Sequence, residues 1–443
     1  MFNKLRNIIS HPEHKILLKN TFSLSILQFA NYVLPLITIP YVVRVIGPDK
    51  FGLISFAQAF ATYFLLVVNY GFDLSATREI SSNRDNKNTL VRIYSNVLFT
   101  KAFLFTLCTL IFTSLIFLIP KFRENILVFI VSYLIVAGYV LFPTWLFQGL
   151  EKLYITSIFN FIVKLLFTIG IFIFVRNKND FYLVPLLMSL GQIFAGTLAL
   201  MYSLKLLDWK INMPRLEDIF RELKNGFSVF ISLVFINFYT ISNTFILGFF
   251  APHENVGYFA SGSKLVLVFQ TLVLAPLAQS LYPHVGKILR NDLNRGIEYI
   301  KKFSVIVTAL TLPASIFLLI FAPILVKVFL GDQYLPSINV VRILSFFPFI
   351  IGLSNLYGIQ TTLNLKMDKD FFKVVMGGSI INLLLNVLLD HKLAEIGSSV
   401  SWLITEIYIT SAFIILLEAK GIKIIDFKFY SRFITGVVKS REI

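Results

Sequence analysis

Apolar residues run in long stretches along most of the chain, and polar and charged residues collect in the gaps between them. A helix that crosses a bilayer needs about 20 such residues, because each adds only about 1.5 Å of rise. Twelve stretches meet that length: 19–43, 51–74, 93–119, 126–148, 154–175, 181–204, 226–250, 256–283, 301–330, 338–363, 372–389 and 396–418. The gaps are too short to hold a soluble domain. The first stretch is too long for the apolar part of a signal peptide and has no clear small-residue cleavage site, so it reads as a retained span. The expected fold class is an all-α integral membrane protein with about twelve transmembrane helices.

Composition agrees with a lipid solvent. Of the 443 residues 56% are hydrophobic and only 14% are charged, against roughly a quarter charged in soluble domains. Phe alone supplies 47 residues. The single cysteine, Cys108, excludes a disulfide framework or a cysteine-based metal site, and the five histidines form no ligand spacing. No cofactor is expected.

The net charge of +16 would suit nucleic acid, but its distribution points elsewhere. With the N-terminus placed in the cytoplasm, 28 of the 40 Lys and Arg fall on the cytoplasmic side and eight on the opposite side. Lysines within the first or last few residues of a span are counted with the adjoining side; the remaining four, Lys101, Lys164, Lys264 and Arg342, lie inside spans. This is the positive-inside bias expected of twelve spans with both termini cytoplasmic. It accounts for the charge without a nucleic-acid partner.

The chain divides into a cytoplasmic segment 1–18, a six-helix bundle 19–207, a linker 208–225, a second six-helix bundle 226–418 and a cytoplasmic tail 419–443. In the linker, Leu216, Ile219, Phe220 and Leu223 share one helical face. Pro214 suits the first turn, and Arg215, Arg221 and Lys224 are available to lipid headgroups, so a short helix in the membrane interface is predicted. The two bundles echo each other. Lys205-Leu-Leu-Asp208-Trp209-Lys210 follows span 6, and Lys423-Ile-Ile-Asp426-Phe427-Lys428 follows span 12. Pro48 to Gly52 before span 2 resembles Pro252 to Gly257 before span 8. Six helices per repeat keep both halves in the same orientation, so the pseudo-twofold axis is expected along the membrane normal.

Two equivalent bundles suit transport by alternating access, with a polar site between the halves. A Lys or Arg at the centre of a span costs about 2.5–3.5 kcal/mol on insertion scales, so such residues point to function. Lys164 lies near the middle of span 5; Lys101, Lys264 and Arg342 lie nearer span ends. Against them stand Glu406 inside span 12 and Asp73 at the end of span 2. An excess of cations suits an anionic cargo. The plain alternative is that the long side chains snorkel to the interface. Arg44 and Arg78, at opposite ends of spans 1 and 2, are either interface anchors or part of cargo capture. Glu406 and Asp73 are candidates for ion coupling, against a purely structural role. Amides inside the spans, among them Asn243, Asn382 and Asn386, serve either helix association or sugar hydroxyls.

Three segments carry a family resemblance: Arg44-Val-Ile-Gly47-Pro-Asp-Lys-Phe51-Gly52, Asn69-Tyr70-Gly71-Phe72-Asp73-Leu-Ser-Ala-Thr77-Arg78-Glu79-Ile80, and Pro143-Thr-Trp145-Leu-Phe147-Gln148-Gly149-Leu-Glu151. With the twelve spans they make the chain resemble the O-antigen and polysaccharide flippases often called Wzx. These form the polysaccharide-transporter branch of the multidrug/oligosaccharidyl-lipid/polysaccharide (MOP) exporter superfamily. The resemblance implies a MATE-like fold in the bacterial cytoplasmic (inner) membrane and no catalytic residue. It implies a cargo of oligosaccharide repeat units on undecaprenyl pyrophosphate, moved to the outer leaflet, with H+ or Na+ as coupling ion. Membrane lipids, a polysaccharide polymerase and a chain-length regulator are the implied partners. Trp145 reads as an aromatic anchor at the membrane interface.

Two other functions fit parts of the sequence. A multidrug or metabolite antiporter of the same fold would be expected to carry more acidic residues in its spans. A glycosyltransferase would need a folded domain around Asp368-Lys-Asp370, which here sits in a short basic connection.

Overall fold

The computed structural model describes the backbone of residues 12–424, 426 and 429, and the side chains from residue 34 onward except 35, 275–284 and 290. Every regular element is helical among these residues. Eleven helical segments are long and apolar enough to cross a membrane, and they match predicted spans 2 to 12 in order. The side chains of predicted span 1 lie largely outside the described residues.

The chain forms two compact units, Met1–Val234 and Phe235–Ile443. The first unit holds α1 (Pro12–Asn69), α2 (Phe72–Ser82), α3 (Lys87–Leu118), α4 (Ile126–Leu141), α5 (Thr144–Gly149), α6 (Leu153–Phe174) and α7 (Leu183–Leu206). A further helix, α8 (Leu216–Phe250), begins in the first unit and ends in the second. The predicted linker helix therefore forms the opening turns of one 35-residue helix rather than a separate element. The second unit continues with α9 (His253–Asn291), α10 (Leu293–Leu325), α11 (Ser337–Leu344), α12 (Phe347–Ser354), α13 (Asp368–Leu393) and α14 (Glu395–Ala419). Its tenth span is broken, since α11 and α12 are followed by a π-helical stretch, Asn355–Leu363.

Glycine and proline set the breaks. Gly47 has φ 75° and ψ 170° and divides α1 in two. Tyr70 and Gly71 both have positive φ (48° and 78°), and that pair separates α1 from α2. Pro143 has no amide hydrogen and cannot continue α4; the chain turns extended at Phe142 before α5 begins.

The core of the first unit is aromatic. Phe60 stacks on Phe122 at 4.5 Å and Phe112 on Tyr133 at 4.0 Å, and the Tyr133 hydroxyl meets that of Thr109 at 3.0 Å. Small residues let α4 and α7 approach closely. A Cβ on Gly196 would lie 2.3 Å from the Gly138 carbonyl oxygen. Such contacts replace the hydrophobic drive that lipid cannot supply.

The repeated Asp motif proves structural in both units. Asp208 pairs with Lys87 at the start of α3. Asp426 pairs with Lys301 near the start of α10 at 2.9 Å. Each unit thus ties the segment after its last span to the opening turns of its third span. The hydrogen bond from Lys87 holds the Asp208 carboxyl below its ordinary value.

Candidate functional site

In the first unit the candidate residues gather where two spans are broken. Lys101 is 3% exposed on α3, and its ammonium donates to the Tyr139 carbonyl at 2.8 Å. Asp73, half-buried in the first turn of α2, attracts it from beyond contact distance. The structure therefore joins a cation and an acid that the sequence reading held in separate roles.

Around them the resemblance-carrying segments pack together. The Thr77 hydroxyl of α2 lies 3.2 Å from the Trp145 carbonyl and 3.3 Å from the Gln148 side-chain oxygen of α5. Arg84 donates to the Gly149 carbonyl at 2.7 Å and pairs with Glu151 at 2.6 Å. Trp145 departs from the expected interface anchor: it is 1% exposed and packs beside Tyr94 at 5.6 Å. The break at Phe142–Pro143 turns α5 inward onto α2, so the indole fills core space. Tyr70, at the other break, stacks on Phe230 of α8 at 4.3 Å.

The remaining candidate cations are spread over both units. Arg44 near the α1 break and Arg78 on α2 are exposed, and Lys164 on α6 is half-buried. In the second unit Lys264 on α9 is half-buried and Arg342, in the last turn of α11, is exposed.

The second unit contains a buried polar seam between α8, α13 and α14. The amides of Asn382 and Asn386 both donate to the side-chain oxygen of Asn243, at 3.0 and 2.9 Å. Asn382 also reaches Thr405 at 3.2 Å. Asp390 is 1% exposed; its Oδ1 accepts from Ser398 at 2.9 Å. Three buried atoms here find no hydrogen bond: Asp390 Oδ2, Asn386 Oδ1 and Ser401 Oγ. Glu406, 4% exposed, lies one turn beyond Trp402 and acts electrostatically on Tyr239 of α8. A buried carboxylate oxygen without a hydrogen bond is suited to hold a proton or a small cation, because an orphan acceptor is costly until something occupies it.

Asp390 is the functional candidate that sequence reading missed. Predicted span 11 stopped one residue short of it. The available signal was its spacing: Asn382, Asn386 and Asp390 stand four residues apart and so share one helical face. Among the described residues, no group of three His, Cys, Asp or Glu side chains could hold a metal ion. At the α9–α10 connection a cavity of about 540 Å³ is lined by Lys287, Arg295, Tyr299 and Lys302, together with Asp292 and Glu298.

Eleven candidate spans in two helical units, several of them broken, define a multi-span helical membrane protein. The fold is shared with a multidrug resistance MATE family transporter of the MOP superfamily in its inward-facing conformation. That likeness has a TM-score of 0.71 at 14% identity and covers 90% of this chain and 98% of that one. The lipid II flippase MurJ, inward closed, aligns with a TM-score of 0.66 at 15% identity, over 89% of this chain and 87% of that one. The family described as polysaccharide biosynthesis protein matches residues 17–289, and the chain belongs to it. Two relatives bear the name "Putative O-antigen transporter". One, from Escherichia coli (strain K12), is 33% identical over 90% of this chain and 96% of its own length. The other, from Shigella dysenteriae, is 28% identical over 91% of this chain and 100% of its own.

Proposed function

We propose that the protein flips undecaprenyl-pyrophosphate-linked oligosaccharide repeat units from the cytoplasmic to the outer leaflet of the bacterial inner membrane, by alternating access and with both termini in the cytoplasm. The observation that carries this reading is the 33% identity, across nearly the whole chain, to a relative named for O-antigen transport. The chemistry of the spans agrees with it. Lys164, Lys264 and Arg342, with Arg44 and Arg78 at span ends, offer positive charge to a diphosphate headgroup. Amides within the spans offer donors and acceptors to sugar hydroxyls. The basic cavity lined by Lys287, Arg295 and Lys302 suits anionic membrane lipids.

The transport cycle draws on an ion gradient through the buried seam of the second unit. Asp390 is the principal binding group, and Glu406 the neighbouring acid. The coupling ion is H+ or Na+. Asp73 is the corresponding acid of the first unit.

The test is restoration of surface polysaccharide in a strain deleted for its own repeat-unit flippase, paired with transbilayer movement of a fluorescent undecaprenyl-pyrophosphate glycan in vesicles. Both should depend on the protein. Vesicles that move an organic cation but not the lipid-linked glycan would replace this reading with the multidrug antiporter.

A further inference from the structure

Pro143 leaves a chemical deficit that another helix fills. In an unbroken α-helix the Tyr139 carbonyl receives the amide hydrogen of residue 143, four positions on. Residue 143 is proline and has none. α4 ends at Leu141, and Phe142 turns to φ −96° and ψ 103°. The Tyr139 oxygen receives Lys101 Nζ instead, at 2.8 Å. The need is mutual: a buried ammonium within a span persists only where it finds acceptors or counter-charge. Lys101 has the carbonyl in contact and the Asp73 carboxylate at longer range.

This contact stands at a double break. Beyond Phe142–Pro143 the chain continues as the short helix α5, and beyond Tyr70–Gly71 as the short helix α2. α2 and α5 are bound to each other through Thr77, Trp145 and Gln148, and at their far ends through Arg84, Gly149 and Glu151. They form one body joined to its spans through the two breaks. Lys101 holds the last turn before one break, and Asp73 opens the first turn after the other.

We propose that Lys101 is a positioning residue rather than a cargo ligand: its ammonium stands in for the amide hydrogen that Pro143 lacks and fixes the pivot on which the α2–α5 pair turns during transport. Lys101 acts through the Tyr139 carbonyl and touches no cargo. The role of the pivot in transport rests on the proposed flippase reading; the hydrogen-bond substitution does not.

The test uses the purified full-length chain and the polysaccharide-restoration strain, with Lys101→Met, Lys101→Arg, Pro143→Ala and the double variant Lys101→Met/Pro143→Ala. Lys101→Met should lower the melting temperature by several degrees and reduce transport at least tenfold. Lys101→Arg keeps N–H donors and should stay near the parent in both. Pro143→Ala returns an amide hydrogen to position 143, and in the Lys101→Met background it should recover at least half of the thermal loss. Thermal losses that simply add in the double variant would overturn the proposal. So would Lys101→Met melting like the parent while transport fails, which is the behaviour of a cargo-binding cation. Should the Pro143 variants not fold, the Arg and Met variants decide alone: equal losses from both overturn it. Melting is read on the protein by itself, so failure there is distinct from failure of the proposed cargo.

Discussion

Replacing Gly196 by Ala tests the packing of α4 on α7 and, through it, the rigidity of the first unit. The new Cβ would sit 2.3 Å from the Gly138 carbonyl oxygen and 3.0 Å from the Leu141 Cβ. Ordinary contact begins at 3.4 Å, so the helices must part by about 1 Å. Neither neighbour can rotate away, because one is backbone and the other a Cβ. A gap of about 0.5–1 Å already forfeits a quarter to a half of the dispersion attraction along the seam. Overpacking of this kind costs about 1–3 kcal/mol. At about 2–4 °C per kcal/mol for larger domains the melting temperature should fall by roughly 2–12 °C. Gly170 on α6 is the control. A Cβ there would meet only the Leu187 side chain, at 3.4 Å, so Gly170→Ala should melt at or slightly above the parent. Fluorescence-detected size-exclusion of both full-length variants after a temperature series makes the comparison. Equal melting of the two would refute the claim that glycine is required at the α4–α7 crossing.

Other expectations concern the seam, the clasps and the hinge. Asp390→Asn removes the ionisable acceptor while keeping its volume, and should abolish gradient dependence of glycan movement in vesicles; Glu406→Gln should weaken it. Unchanged dependence in both variants would count against the seam as the coupling site. The Lys87–Asp208 clasp depends on an ionised carboxylate whose value lies below its ordinary 3.8. Its contribution is present above that ordinary value and is lost as pH falls through the lowered one. Asp208→Asn should therefore reduce stability slightly at neutral pH, because the pair is exposed, and the difference should shrink as pH falls through the lowered value; melting curves across an acid pH series measure this. Gly71→Ala places a Cβ 2.7 Å from Val229 at a φ of 78°, so surface polysaccharide should fall sharply while protein is still made. Normal polysaccharide display would show that the break tolerates a side chain.

Much of the architecture could be read from the residues in order. Hydropathy is a local property, and a span's length is fixed by bilayer thickness and helical rise. Predicted spans 2 to 12 accordingly coincide with the eleven candidate helices. The Lys-x-x-Asp segment recurs after spans 6 and 12, which is the sequence sign of a repeat. Partners were another matter. Nothing local says that Asp208 and Asp426 each meet a lysine at the start of the third helix of their unit. Nor does it say that Lys101 faces the carbonyl orphaned by Pro143, or that Trp145 turns into the core. Asp390 reads as a loop residue because the hydropathy of its span falls at that charge, whereas Ser398 holds its carboxylate inside the bundle. The sequence decides which residues must leave water, since that is a transfer free energy carried by each side chain. Which polar groups then meet is decided by how the helices rotate and cross, because a hydrogen bond depends on positions fixed by packing across elements far apart in the chain.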